Sequence, residues 1–148
     1  MGRITSFFQS IIPKSRVVFD DLLRTKPVSN VFGFDRGTPI DRYYIDKFLA
    51  HNSSKIEGTV LEIANNIYSK KFGQKDIKSE ILHFDNSNIQ ATIVGDLTKK
   101  ESLPSNAVDC FICTQTFNVI YDVKSAIEGS RHLLKKGGIL LATVPGIG

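Results

Sequence analysis

The stretch that decides the fold is Val60–Asn66, with the sequence VLEIANN. The turn signal Glu57–Thr59 precedes it, and a polar segment rich in lysine and asparagine follows it. Its first four residues are apolar apart from Glu62, as expected of a short strand that is covered on both faces. A buried strand that closes on an acid and a tight polar turn is typical of the carboxyl edge of an open α/β sheet. Ligands bind at that edge.

The chain has 148 residues, which suits one domain with a real hydrophobic core. The hydrophobic fraction of 41% and the charged fraction of 23% are those of a folded globular protein. The net charge of +4 is modest, and the basic residues are scattered along the chain. We therefore expect solvated lysines and no nucleic-acid partner, with attraction to an anionic partner as the alternative.

No stretch of the sequence approaches the ~20 apolar residues that a membrane-spanning helix needs. The apolar residues between Phe7 and Ile12 are too few and too interrupted for the core of a secretory signal. A cytoplasmic location without a membrane span is therefore the expectation.

The two cysteines, Cys110 and Cys113, form a C-x-x-C pattern that invites a zinc or redox interpretation. They lie in a strand-like run, however, and residues three apart on a strand point to opposite faces. They could then neither share a metal nor form a disulfide. The histidines show no ligand spacing either, so we expect structural thiols and no metal site.

Residues 1–30 are predicted to form an N-terminal appendage, with a helix over Val17–Leu23 that Pro27 would stop. The main domain is predicted to span residues 31–148. It opens with a loop rich in glycine, after which Thr38-Pro39 starts a helix that runs to about Ala50. The residues predicted to line its inward face are Ile40, Tyr43, Tyr44, Phe48 and Leu49.

Five strands are predicted in the main domain, at residues 59–63, 81–85, 91–96, 108–114 and 139–144. A short helix or irregular turn is predicted at Ile67–Lys71. A longer helix is capped by Asp122, has Lys135-Lys136 near its end and stops at Gly137-Gly138. Its inward residues are predicted to be Val123, Ala126, Ile127, Leu133 and Leu134. Apolar strands that alternate with helices or loops indicate a parallel α/β sheet.

Three predicted strands carry an acid at or next to the carboxyl end, namely Glu62, Asp85 and Asp96. Such acids are poorly placed for phosphate groups but well placed to accept hydrogen bonds from a ribose, an amine or an exocyclic NH2 group. The sequence has no P-loop pattern and no G-x-G-x-x-G pattern, which excludes the first class of nucleotide site and weakens the case for NAD or FAD.

This pattern resembles the class I S-adenosylmethionine-dependent methyltransferases over about residues 34–146. The resemblance is carried by the order and spacing of Val60–Ile63, Ala91–Thr98, Leu103-Pro104 leading to Asp109, and Leu133–Gly138. The segment Arg36–Tyr44 is similar to one found in methyltransferases associated with glycan and glycosyltransferase clusters. The resemblance implies a Rossmann-like open parallel sheet of order 3-2-1-4-5 with flanking helices.

The resemblance also implies S-adenosylmethionine as cofactor and a role for individual positions. Glu62 would anchor the first loop near the methionine end of the cofactor, whose ammonium favours negative charge. Asp85 would accept both ribose hydroxyls, and Asp96 would accept from the adenine amino group while the backbone NH of Leu97 faces the ring. For both aspartates the alternative is a turn cap at the end of a strand.

Further positions follow from the same resemblance. Thr114 and Gln115, with Thr116, would line the methyl-transfer cleft. Arg36, Gly37 and Tyr43 could cover the cofactor from the preceding loop and helix. We expect a small-molecule or glycan methyl acceptor, and no catalytic base can be assigned, because methyl transfer rests mainly on positioning.

The chain departs from the family pattern at Ala64, where the family has a glycine that permits positive φ and a close backbone approach to the ligand. This departure leaves open a second function, a non-catalytic methyltransferase-fold module that acts in binding or assembly. A nucleotide-binding oxidoreductase domain is a third possibility.

The family also continues through two more strands, so the fold is expected to lack the last two strands of the family. The strand at residues 139–144 would then be an open, apolar edge, which is an aggregation hazard unless it is covered. A homodimer that covers this edge is the expected partner arrangement.

Overall fold

The computed structural model describes residues 25–27, 29–31 and 34–146. The chain divides after Gly37 into two units. The first unit contains a 3-10 helix, Phe34–Arg36, and a hydrogen bond that Ser29 donates to Asp35. The helix predicted over Val17–Leu23 lies outside the described residues. Among the residues that the structure describes, no helix is long and apolar enough to cross a membrane.

The second unit contains a five-stranded parallel sheet of order β3-β2-β1-β4-β5, which confirms the predicted fold class. The strands are β1 Thr59–Ile63, β2 Lys78–His83, β3 Ile93–Val94, β4 Val108–Thr114 and β5 Leu134–Thr143, and the helices are α1 Ile40–His51, α2 Ile67–Phe72 and α3 Val123–Leu133. Short 3-10 helices lie at Ser53–Lys55, Lys100–Ser102 and Phe117–Val119. β5 lies at the edge of this sheet, as predicted, and the homodimer that would cover it stays a prediction.

The central strands are buried on both faces because their side chains alternate between two cores. Val60 packs on the side of α1 and α2, whereas its neighbour Leu61 packs on the side of α3. The same alternation separates Cys110 from Cys113, so the two thiols lie in different cores. The α3 side consists of Leu61, Leu82, Leu97, Leu103, Val108, Phe111, Cys113, Phe117, Ala126 and Leu133, and the other side of Ile45, Leu49, Ile56, Val60, Cys110, Ile112 and Leu141.

Helix α1 begins just after Pro39, as predicted, but its predicted inward face is wrong at three positions. Ile45 and Leu49 are buried, whereas Ile40, Tyr43 and Tyr44 are exposed. Residues four apart share a helix face, so the apolar stripe that meets the sheet is set by Ile45 and Leu49. The sequence pattern contained two apolar stripes, and the prediction merged them.

The end of α3 also differs from the prediction. The helix stops at Leu133, and β5 starts at once with Leu134, which pairs with Val108. The next pair joins Ile139 and Cys110, so residues 135–138 form a bulge opposite Asp109. The Lys135 ammonium donates to the Asp109 carboxylate across this bulge, at 2.7 Å. The prediction took these glycines and lysines as the end of a helix. The predicted cap Asp122 is confirmed, since its Oδ1 accepts from the Ser125 backbone NH at 3.0 Å.

The inward face predicted for α3 is wrong at Val123 and Ile127, which are exposed. The buried positions of the helix are Ala126, Gly129, Ser130 and Leu133. Small residues dominate this face because α3 lies very close to the chain that follows β3. A Cβ built on Gly129 would lie only 2.0 Å from the carbonyl oxygen of Leu97.

We expect Gly129→Ala to lower the free energy of unfolding by about 1–3 kcal/mol, because the added methyl group forces α3 away from Leu97. Helix propensity alone predicts the opposite sign, a gain of about 1 kcal/mol. Urea denaturation measures the difference. The exposed position Lys124 of the same helix is the control, and Lys124→Ala should change stability by less than about 0.5 kcal/mol. A stabilised Gly129→Ala variant would contradict the close contact.

Candidate functional site

Glu62 ends the buried part of the central strand and is itself buried, with 3% of its surface exposed. Its Oε1 accepts from the backbone NH of Tyr68 at 3.1 Å, and its Oε2 accepts from that of Ser69 at 2.9 Å. Burial raises the pKa of this carboxyl group, and the two backbone donors oppose that shift. Glu62 therefore holds the start of α2 against β1 with both of its oxygens.

The turn that follows β1 is held in a left-handed backbone conformation at Ala64, with φ of 64°. Its backbone NH donates to the carbonyl of Leu82 at 2.9 Å, and its carbonyl accepts from the side-chain amide of Asn88 at 2.7 Å. The side-chain oxygen of Asn65 accepts from the backbone NH of Ile67 at 3.2 Å. The turn thus has the positive φ that glycine normally supplies at this position.

Asp85 lies two residues beyond β2, because β2 runs over Lys78–His83 and not over the predicted 81–85. Its Oδ1 accepts from both the backbone NH and the hydroxyl of Ser87, at 2.9 and 2.5 Å. Both bonds lower the pKa of Asp85, and the bond from the Ser87 hydroxyl has the larger effect. The side chain is therefore a carboxylate at neutral pH. The carboxylate is exposed, and its Oδ2 can accept from a ligand.

Asp96 repeats this arrangement beyond β3, which is only Ile93–Val94 and thus shorter than the predicted 91–96. Its Oδ1 accepts from the hydroxyl and the backbone NH of Thr98, at 2.7 and 2.9 Å, and these bonds lower its pKa. Its Oδ2 lies 3.9 Å from the ammonium of Lys99. Each aspartate therefore caps its own turn with one oxygen and has the other oxygen available.

A cavity of about 290 Å³, named the donor cavity after the role proposed for it below, is lined in part by Asp96. Its lining combines apolar side chains from β1, β2 and the loop after β4 with the polar Asp96, Thr98 and Thr116. The apolar or glycine part is Ile63, Leu82, Phe84, Gly95, Leu97 and Ile120. An apolar slot with a few convergent polar groups is the usual form of a small-molecule site.

A second cavity, named the acceptor cavity after the role proposed for it below, measures about 740 Å³ and lies between α1 and the carboxyl end of β5. Its lining is Ile40, Asp41, Tyr44, Ile45, Phe48, Gln115, Ala142, Thr143, Val144, Pro145 and Gly146.

The tip of β4 connects the two cavities. Thr114 is the last residue of β4, and its carbonyl accepts from the Thr116 hydroxyl at 3.0 Å. Gln115 has a φ of 51° and lines the acceptor cavity, while the adjacent Thr116 lines the donor cavity. Consecutive Cα atoms lie about 3.8 Å apart, so the two cavities approach each other at this point.

The structure brings only some of the predicted site residues together. Asp96 and Leu97 line the donor cavity, and Gln115 lines the acceptor cavity. Within the described part of the chain, the linings of these two cavities do not include Glu62, Ala64, Asp85, Thr114 or Tyr43. Arg36 and Gly37 belong to the other unit of the chain. The role of each predicted residue in cofactor binding stays a prediction.

Several lining residues were missed by the sequence reasoning. Phe84 is exposed and lies on the rim of the donor cavity directly before Asp85, where it had been counted within a strand. Thr98 and Ile120 lie in loops without a recognisable pattern. A large apolar residue exposed beside a strand-end acid is the signal that could have identified Phe84.

A family model described as a methyltransferase domain matches residues 57–142, which is more than half of the chain. This chain belongs to the methyltransferase domain family. The matched residues run from the turn before β1 to the end of β5 and include the strand-end acids and the tip of β4.

The fold of this methyltransferase domain is similar to that of a solved structure with a TM-score above 0.5, and a second solved structure matches with a lower score. A Methanococcus maripaludis protein described as a candidate S-adenosyl-L-methionine-dependent methyltransferase has a TM-score of 0.52 and 21% identity, over 74% of this chain and 60% of that chain. A candidate methyltransferase solved in complex with the Haloferax volcanii activator Trm112 has a TM-score of 0.49 and 16% identity, over 80% of this chain and 62% of that chain. The chain thus spans about 60% of the length of these structures. No curated protein sequence matches it significantly.

The two cysteines of the methyltransferase domain lie away from both cavities, in separate cores. Burial raises the pKa of Cys110 to about 12 and that of Cys113 to about 11. Both side chains are therefore neutral thiols at physiological pH, and the thiolate is the reactive form. Among the described residues, no group of three or more His, Cys, Asp or Glu side chains could hold a metal ion.

We expect neither cysteine to react with iodoacetamide in the native protein at mildly alkaline pH, and both to react after unfolding in guanidinium chloride. The high thiol pKa and the complete burial are the physical reasons. Mass spectrometry counts the added groups. A Ser105→Cys variant, with its new thiol at an exposed turn, is the positive control. Rapid alkylation of the native wild-type chain would contradict the buried assignment.

Proposed function

We propose that this domain binds S-adenosylmethionine in the donor cavity and transfers its methyl group to a small organic acceptor. The observation that carries the proposal is the turn-capping carboxylate of Asp96 in the lining of an apolar cavity at the carboxyl edge of a sheet with the methyltransferase strand order. A second turn-capping carboxylate, Asp85, directly follows Phe84 of the same lining. This edge is the one where open α/β sheets bind ligands.

The donor cavity suits the adenosine part of the cofactor. The apolar side chains of Ile63, Leu97 and Ile120 can cover the faces of a purine ring, which prefers apolar and aromatic surfaces. The Oδ2 of Asp96 can accept from the exocyclic amino group of adenine, because both hydrogen bonds from Thr98 go to Oδ1. Phe84 at the rim adds an aromatic surface.

The other two strand-end acids, Asp85 and Glu62, have different tasks in this proposal. The Oδ2 of Asp85 can accept from ribose hydroxyl groups, and its lowered pKa keeps it charged. Both oxygens of Glu62 accept hydrogen bonds from α2. Glu62 therefore acts on the methionine end of the cofactor indirectly, by holding the Ala64 turn in place. The cofactor, when bound, supplies an electrophilic methyl group on a positively charged sulfur. The chain's own task is to orient donor and acceptor at the tip of β4.

One observation favours a second function, a non-catalytic module for binding or assembly. Ala64 adopts φ of 64° with a side chain where the family has glycine, and its Cβ takes up space that a bound methionine group would approach. In this alternative the donor cavity has no cofactor and the fold serves as a scaffold.

Calorimetric titration with S-adenosylmethionine and S-adenosylhomocysteine tests the proposal. We expect both to bind the wild-type domain, and Asp96→Asn to weaken the affinity by about tenfold or more through the loss of a charged acceptor. The matched control is Asp76→Asn, an exposed acid in the turn before β2, which should leave the affinity unchanged. Absence of heat and of a thermal shift with both ligands would favour the non-catalytic module.

We expect Ala64→Gly to strengthen S-adenosylhomocysteine binding and also to stabilise the fold by up to about 1 kcal/mol, because glycine relieves the strain of a positive φ. The control is Asn106→Gly at the amino end of β4, where φ is 50°. It can gain stability in the same way without a change in ligand affinity. Isothermal calorimetry and urea denaturation measure the two effects. An Ala64→Gly variant that binds no better than wild type would show that the Cβ does not obstruct the cofactor.

A further inference from the structure

The lining of the acceptor cavity is mostly apolar. Helix α1 contributes Ile40, Tyr44, Ile45 and Phe48, and the end of β5 contributes apolar residues on the opposite wall. The polar side chains of the lining are Asp41, Gln115 and Thr143. A molecule with many hydroxyl groups would leave most of them unpaired here, at a large desolvation cost, whereas a molecule with an apolar body and one polar group would not.

The side chains of α1 at this cavity are unusually exposed for their size. Ile40 is 71% exposed and Tyr44 is 64% exposed, and the two lie four residues apart on one helix face. They form the second apolar stripe of α1, distinct from the stripe of Ile45 and Leu49 that packs on the sheet. An apolar stripe held at the wall of a cavity is typical of a ligand-contact surface.

Two polar residues of the cavity lining have unusual local environments. The hydroxyl oxygen of Thr143 is buried and, among the described residues, is the buried side-chain polar atom without a hydrogen-bond partner. A buried hydroxyl group without a partner carries a desolvation penalty, which a hydrogen bond from a ligand can offset. Gln115 is held at a φ of 51° while its backbone NH donates to the Thr143 carbonyl at 2.9 Å. Strained residues of this kind cluster at functional sites.

We propose that the acceptor cavity binds a hydroxylated aromatic molecule as methyl acceptor, with its ring against Tyr44 and Ile40 and its hydroxyl group toward Gln115 and Thr143. This inference rests on the proposed function. In the reaction, a lone pair of the acceptor oxygen forms the new C–O bond and the C–S bond of the donor breaks. The bonding pair passes to sulfur, which becomes a neutral thioether, and the hydroxyl proton passes to water.

The position of the cavity fits this reaction. Gln115 lines the acceptor cavity and the adjacent Thr116 lines the donor cavity, so an acceptor hydroxyl group near Gln115 lies one residue along the chain from the lining of the donor cavity. Reaction by displacement requires the two reacting atoms to approach to about 3–3.5 Å.

Binding of β-naphthol, a fluorescent hydroxylated aromatic, tests the acceptor class without any need for turnover. We expect saturable binding to the wild-type chain, weakened about tenfold or more by Tyr44→Ala, because the variant removes the ring that covers the ligand. Ile40→Asp should weaken it similarly. That change places a carboxylate in the first turn of α1, where negative charge favours the helix, so the fold is retained.

The matched control is Tyr121→Ala, which removes a fully exposed tyrosine that lines neither cavity. It should leave β-naphthol affinity unchanged. Absence of saturable binding to the wild-type chain, or equal affinity in all variants, would overturn the proposal. The proposal would also be overturned, in favour of a sugar acceptor, if methyl β-glucoside displaced β-naphthol at a glucoside concentration below that of the β-naphthol.

A separate titration with S-adenosylhomocysteine distinguishes this inference from the proposed function. Binding of S-adenosylhomocysteine without binding of β-naphthol would overturn only the proposal of an aromatic acceptor. Binding of β-naphthol without binding of S-adenosylhomocysteine would overturn the methyltransferase function and with it the assignment of the cavity to an acceptor.

Discussion

The structure depends on the pair of hydrogen bonds that Glu62 accepts from the backbone of α2. The central strand would otherwise end in a buried carboxylate without partners, which is among the most unfavourable groups in a protein interior. Both oxygens are occupied by NH groups at the start of α2, so the carboxylate fixes that helix to β1. Ser69 extends the connection, since its hydroxyl lies 3.0 Å from that of Ser79 in β2. The turn at Ala64 is held between these contacts, and the carboxyl edge takes its shape from them.

The strand order and the central strands could be predicted because near-continuous apolar runs have few alternatives in a sheet buried on both faces. The predictions for β1 and β4 are confirmed to the residue. The edge strands were predicted less well, because pairing with a neighbour sets their limits. β3 pairs over only two residues, and β5 begins earlier because Leu134 already pairs with Val108, ahead of a bulge at which Lys135 binds Asp109. A salt bridge between residues far apart in sequence is invisible to local pattern.

The candidate site was predictable to the extent that it lies at strand ends. Asp85 and Asp96 were identified because parallel strands bring their carboxyl ends to one edge, and the structure shows that both cap turns and that Asp96 lines the donor cavity. Their turn-capping bonds do not compete with a ligand role, since each uses one oxygen. The acceptor cavity could not be predicted in the same way. It depends on which stripe of α1 meets the sheet, and the sequence carries two stripes of similar apolar character.

Alanine stands at position 64 where the family has glycine, and this difference can be judged by comparing the strain of its positive φ with the hydrogen bonds that hold the turn. An L-residue in the left-handed region costs roughly 1–2 kcal/mol. Two hydrogen bonds hold the turn, one from the Ala64 NH to Leu82 and one from Asn88 to the Ala64 carbonyl, and each contributes about 0.5–1.5 kcal/mol. The strain is therefore offset within the folded chain, and the turn has the backbone shape that glycine would give it. What remains is the volume of one methyl group, and the lining of the donor cavity does not include Ala64. The departure at Ala64 thus argues for a modified donor site more strongly than for the loss of one.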